Sequence, residues 1–149
     1  MSKVPTRAPT HEDIELQRLS SMGLELEEIA DGEAVALRGM IELAEDRGRP
    51  TSHYLAAIPL ATELAVNSGG APLQIRVCAG TCQRYGALDL LDHLVDKWSG
   101  TPAFTIVPVE CLDRCDTGPA CEINGAHGQL VLAPATKKSL DEAVRELAG

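Results

Sequence analysis

Apolar residues recur at helical spacing through the first half of the chain and change to short alternating runs after Pro72. Thr10-His11-Glu12-Asp13 has the form of a capping box, with an acid three residues after the N-cap threonine. It predicts a helix that turns Ile14, Leu19 and Met22 inward and ends at Gly23. Leu24 to Ala30 reads as a second short turn of helix before a break at Asp31-Gly32. Residues 33–47 read as a clearer helix. Val35, Leu37, Met40, Ile41 and Ala44 form one side of it, with Glu33, Glu42, Glu45 and Asp46 on the other. Gly48-Arg49-Pro50 stops this helix, and Thr51 or Ser52 caps another helical stretch to about Asn67. Pro59 must kink or divide that stretch, because proline has no N–H to donate and its ring crowds the preceding turn.

The second half has a different period. Leu73 to Cys78 alternates Leu, Ile and Val with Gln and Arg, as a strand does. A helix is expected near 84–98, with Leu88, Leu91, Leu94, Val95 and Trp98 as its apolar stripe. Phe104 to Val109 reads as a strand. Ala120 to Asn124 and Gln129 to Ala133 read as two more, joined like a hairpin at Gly125-Ala126-His127-Gly128. A closing helix over 136–148 turns Leu140, Val144 and Leu147 inward. The expected organisation is a flexible tail (1–9), a helical N-terminal region (10–68) and a compact α/β domain (72–149). Ser68-Gly69-Gly70-Ala71-Pro72 marks the boundary.

Composition narrows the function. The chain has 149 residues and a net charge of −9, which repels a phosphate backbone and argues against nucleic-acid binding. A solvated acidic surface accounts for that charge, which also suits docking to a basic partner. No apolar run approaches the roughly eighteen residues of a membrane span. Met1 to Asp13 has no apolar core of a secretory signal, so a cytoplasmic location is expected. In a reducing compartment cysteines serve as metal ligands, catalytic thiols or buried apolar residues more often than as disulfides.

Of the five cysteines, four form two matched pairs, Cys78-Ala79-Gly80-Thr81-Cys82 and Cys111-Leu112-Asp113-Arg114-Cys115. Each pair follows a predicted strand. Both therefore belong at the end of a sheet, where they can converge on one soft metal ion or an iron–sulfur cluster. Thiolates take iron and zinc alike, and structural zinc loops favour C-x2-C. Zinc, a redox dithiol and plain thiols all stay open on spacing alone, although the thioredoxin-type C-x-x-C is absent. Gly80, Thr81 and Gly118 would let backbone N–H groups approach sulfur.

Cys111 to Ala120, followed by Ile123-Asn124-Gly125, resembles the second cluster loop of the thioredoxin-like 2Fe–2S subunits. These accompany the flavoprotein of NADH:quinone oxidoreductase, NAD-dependent formate dehydrogenase and NAD-reducing hydrogenase. Val77 to Cys82, followed by Gly86-Ala87, resembles the first loop. The helical region over 10–67 and the closing helix are similar to the family's two ends. In the family the first pair is usually C-x4-C. One residue fewer removes up to ~3.3–3.6 Å of reach, so the loop must turn more tightly, with Gly80 the expected place.

The resemblance implies a thioredoxin-like domain in which Cys78, Cys82, Cys111 and Cys115 hold one 2Fe–2S cluster. It also implies a non-catalytic, one-electron-transfer subunit in a hetero-oligomer with a flavin- and NAD(H)-binding oxidoreductase subunit. The chain has neither G-x-G-x-x-G nor a phosphate-binding G-x-x-x-x-G-K-[ST] loop, so hydride chemistry would belong to that partner. The helices over 10–67 are the expected docking element. A free-standing thioredoxin-like ferredoxin and a zinc-stabilised interaction module remain as alternatives.

The remaining candidates read more simply. Cys121 is expected as a buried, small apolar thiol. His11, His53, His93 and His127 share no ligand spacing and read as surface or capping residues, with His93 on the helix that follows the first cysteine loop. Arg84 and Arg114 flank ligand positions. Pro119 takes the trans form by base rate. Asp89 and Asp92 read as helix-face charges without an acid–base partner.

Overall fold

Leucine-rich helical stripes and short β-rich runs assemble into a mixed α/β structure, with five helices and two sheets among the described residues. The computed structural model describes residues 16–69, 73–79, 87–100, 104–110, 120–125, 128–132 and 135–148.

The first helix, α1, runs unbroken over Leu16–Ile29. Gly23 does not end it. The helix passes α3 (Thr51–Ala61) so closely at Gly23 that an added Cβ would lie 3.2 Å from the Ala61 Cβ, the Ala61 carbonyl oxygen and the Thr62 Cγ2. Glycine is therefore a packing requirement here, and the helix continues to bury Leu26. The predicted capping box at Thr10 lies outside the described residues.

The expected helix over 33–47 divides in two. Ala34–Ala36 forms a short strand, β1, paired in parallel with β2, Ala65–Asn67, in the register Ala34↔Ala65. Only then does α2, Leu37–Arg47, begin. Val35 is buried in a strand as it would be in a helix, so the apolar period does not distinguish the two. Gly48 ends α2 in the left-handed conformation at φ 67°, and its N–H turns back to the carbonyls of Ala44 and Glu45. Pro59 neither divides nor visibly ends α3 at its own position. The helix stops two residues later, where the Thr62 N–H and hydroxyl both donate to the Ile58 carbonyl, at 3.2 and 2.7 Å. The stretch to Asn67 is therefore a helix, a turn and a strand.

The second sheet contains β3 (Gln74–Cys78), β4 (Thr105–Val109), β5 (Cys121–Gly125) and β6 (Gly128–Leu132) in the order β4-β3-β5-β6. β3 and β4 are parallel, joined through α4 (Ala87–Gly100). β5 and β6 are antiparallel to their neighbours. Ile75, Val77, Ile106, Cys121 and Ile123 are all buried, while Arg76 and Glu122, opposite each other on β3 and β5, form a half-exposed ion pair at 3.1 Å. The expected apolar stripe of α4 is buried throughout. α5, Lys137–Ala148, starts on a reciprocal Thr136–Ser139 cap and buries Leu140 and Ala143, with Val144 half-buried.

One continuous core joins the two regions, from Met22, Leu26 and Tyr54 through Leu91 and Trp98 to Ile106 and Ile123. Polar contacts reinforce it. Asp92 on α4 caps α3, accepting from the Ser52 N–H at 3.0 Å and the Ser52 hydroxyl at 2.9 Å. Ser68 accepts the Trp98 Nε1–H through its carbonyl at 2.8 Å and the Ile106 N–H through its Oγ at 3.0 Å. The Arg38 guanidinium lies 5.0 Å over the Trp98 ring. No helix among the described residues is long and apolar enough to cross a membrane.

Candidate functional site

Cys78 is the last residue of β3, opposite Val109 at the end of the parallel strand β4. Parallel neighbours leave a sheet from the same end, so the chains that continue from Cys78 and from Val109 start side by side. The Cys78 thiol is fully buried and donates toward the Glu110 carbonyl at 3.5 Å. Its backbone N–H donates to the Ala120 carbonyl at 3.2 Å, and the next N–H, of Ala79, donates to the Val109 carbonyl at 2.7 Å. Cys78 therefore lies between the last described residue before the second cysteine loop, Glu110, and the first one after it, Ala120.

Cys82, Cys111 and Cys115 lie outside the described residues, as do Gly80, Thr81, Arg84, Arg114, Gly118 and Pro119. Among the described residues no group of three or more His, Cys, Asp or Glu side chains comes together as a metal site.

Cys121 opens β5, opposite Val77, and belongs to the core. Burial pushes its thiol from an ordinary 9.0 up to about 12, and the neighbouring Cys78 adds to the rise. It is a protonated, apolar-packing group at neutral pH, whereas ligands and nucleophiles are thiolates.

The helix-face charges have structural partners. His93 Nε2 lies 2.9 Å from Asp141 on α5, Lys97 lies 3.7 Å from the same carboxylate, and Asp89 pairs with Lys137 at 3.1 Å. These contacts fix α4 against α5. His53 is buried, not a surface or capping residue, because α3 is enclosed by neighbours and every residue from Ser52 to Ile58 is buried. His11 and His127 lie outside the described residues.

Sequence reasoning missed the polar groups that tie α3 to α4 and the Ser68 segment to α4 and β4. Asp92 reaches Ser52 across forty positions, and Ser68 reaches Trp98 and Ile106 across thirty and thirty-eight. No local pattern announces such pairs. Ser68 next to two glycines reads as linker and is in fact buried.

No family model matches the chain, and no curated protein matches it at a significant level.

Proposed function

We propose that this chain is a one-electron-transfer subunit whose 72–149 region is a thioredoxin-like 2Fe–2S domain. Cys78, Cys82, Cys111 and Cys115 are its ligands. The supporting observation is the common exit of β3 and β4, with Cys78 held between Glu110 and Ala120. Peptide geometry keeps the Cα of Cys111 about 3.8 Å from that of Glu110, whose carbonyl already meets the Cys78 sulfur. Cys82 and Cys115 each follow four residues after their partner. The strand order β4-β3-β5-β6, with its first pair parallel and the rest antiparallel, is compatible with a thioredoxin-like domain.

The donor set suits the group. Four cysteines in two pairs match in number the four-thiolate requirement of a 2Fe–2S cluster, and the buried Cys78 would supply one of them from the end of a strand. When bound, such a cluster supplies a one-electron donor and acceptor whose potential follows burial and hydrogen bonds to sulfur. This chain's own residues orient and shield. β3 and β4 bring the starting points of the two cysteine segments side by side, and the buried, protonated Cys121 contributes no ligand. The partner in this reading is a flavin- and NAD(H)-binding oxidoreductase subunit, which carries out the hydride chemistry.

Anaerobically purified protein tests the reading. A red-brown solution with two irons and two sulfides per chain, bleached by dithionite, is expected. A colourless protein with one zinc, still colourless after attempted cluster reconstitution, would replace the reading with a zinc-stabilised interaction module.

A further inference from the structure

α1, β1 and α2 frame a cleft of about 410 Å³ lined by Ile29, Ala36, Gly39, Glu42 and Leu43. Its walls are apolar and open to solvent: Ile29 is 41% exposed, Ala36 is exposed and Leu43 is half-buried. Gly39 forms its floor. A glycine inside a helix weakens that helix relative to alanine. Gly23 has a packing reason for being glycine, but an added Cβ at Gly39 would meet nothing within 4 Å. The fold itself does not need the bare backbone at Gly39. A local cost with no internal return points to a function.

The border of the cleft is acidic. Glu42 lines it, and Asp46 follows one turn later on the same face of α2. Glu28 near the end of α1, and Asp31 and Glu33 between α1 and β1, add negative charge to this stretch of the chain. None of these five carboxylates has an ion-pair partner among the described residues. The nearby cations are engaged elsewhere, Arg47 with Glu25 and Arg38 over Trp98. A lining of Ile29, Ala36 and Leu43 beside Glu42 suits an apolar side chain flanked by lysines or arginines on a helix face. Among the described residues, the lysine-bearing helix α5 of a second copy matches it poorly, since α5 buries Leu140 and Ala143 against its own sheet.

We propose that this cleft receives a basic amphipathic helix of a partner chain, with an apolar side chain seated over Gly39 and cations facing Glu42 and Asp46. The inference names the docking surface of the subunit proposed above and rests on that reading.

The test uses the full chain as purified and a fluorescent synthetic amphipathic peptide of leucine and lysine, followed by anisotropy. The same composition in shuffled, non-amphipathic order is the control. Gly39→Trp fills the cleft and Glu42→Lys reverses its charge, both at positions that leave the core untouched. Circular dichroism and thermal melting check that each variant folds. The amphipathic peptide should bind, and each variant should weaken it on the order of tenfold or more, about one decade in Kd. The shuffled peptide should bind weakly and ignore Gly39→Trp.

Equal binding to wild type and Gly39→Trp would reduce the effect to general surface charge and overturn the proposal, as would no binding at all. A dimer seen by sedimentation and abolished by Gly39→Trp would assign the cleft to a second copy and also overturn it. Iron and sulfide measured on the same samples separate the two readings. Gly39-dependent peptide binding by protein that stays cluster-free after attempted reconstitution upholds the cleft and overturns electron transfer, and a loaded cluster without peptide binding does the reverse.

Discussion

Two of the five cysteines can be compared directly because both are buried, and their surroundings assign them different work. Cys78 ends a strand beside a carbonyl that precedes another cysteine, while Cys121 sits within the core with its thiol pushed up to about 12. Cys78→Ser should abolish iron and sulfide loading. Cys121→Ala should leave both unchanged, and loss of iron in that variant would overturn the ligand assignment. The same burial predicts an alkaline limit. Cys121 is raised from 9.0, and Tyr54 is raised from 10.0 by burial and by the hydrogen bond its hydroxyl donates to Glu25 at 2.6 Å. Both stay protonated in the fold at pH values where the unfolded chain has lost the protons. Their stabilisation is therefore full below about pH 9 and falls as pH rises toward the folded values. Denaturant melts of metal-free protein between pH 8 and 11 should show this decline, and Tyr54→Phe with Cys121→Ala should flatten it. Cysteine type and spacing single out the candidate ligands in the sequence, and of these Cys78 lies among the described residues. The neighbours that define each thiol come from other strands and left no mark in the local sequence.

Two helix glycines make opposite predictions at the scale of elements. Gly39→Ala should raise stability by up to about 1 kcal/mol, the usual helix preference of alanine over glycine. Gly23→Leu should lower it by about 1–3 kcal/mol or more, as overpacking does, because Ala61 and Thr62 already stand at contact distance. Chemical denaturation of both variants checks the pair, and similar outcomes would mean that the α1–α3 crossing is looser than described. Sequence alone ranks these glycines the wrong way round. Gly23 follows the last of the inward positions Ile14, Leu19 and Met22 and looks like a helix stop, while Gly39 sits unnoticed inside a clear amphipathic pattern. The strands of the main sheet and the stripe of α4 were legible because their period is unambiguous. β1 and β2 were not, since three residues are too few to show a period and each adjoins a helix.

For the molecule as a whole, the Ser68 segment bears on how far the sheet depends on the helices. Pro72 and the glycines before it suggest a hinge between an appendage and a domain, with a sheet that could stand without the helices. Yet Tyr54, Leu55 and Ile58 share a core with Leu91, Trp98 and Ile106, and Ser68 is bonded to both α4 and β4. A chain lacking residues 1–68 should therefore fail to fold, with no cooperative melt and no iron retained. A soluble, loaded fragment would restore the appendage view. The shared core also has a consequence for how the polypeptide can be divided. A cut between Gly69 and Leu73 severs the backbone but leaves the dry seam between the halves as their strongest mutual attraction. The two pieces made as separate polypeptides should be insoluble alone and should reassemble when co-expressed, as a split protein in which the proposed cluster would report by its colour that the halves have met.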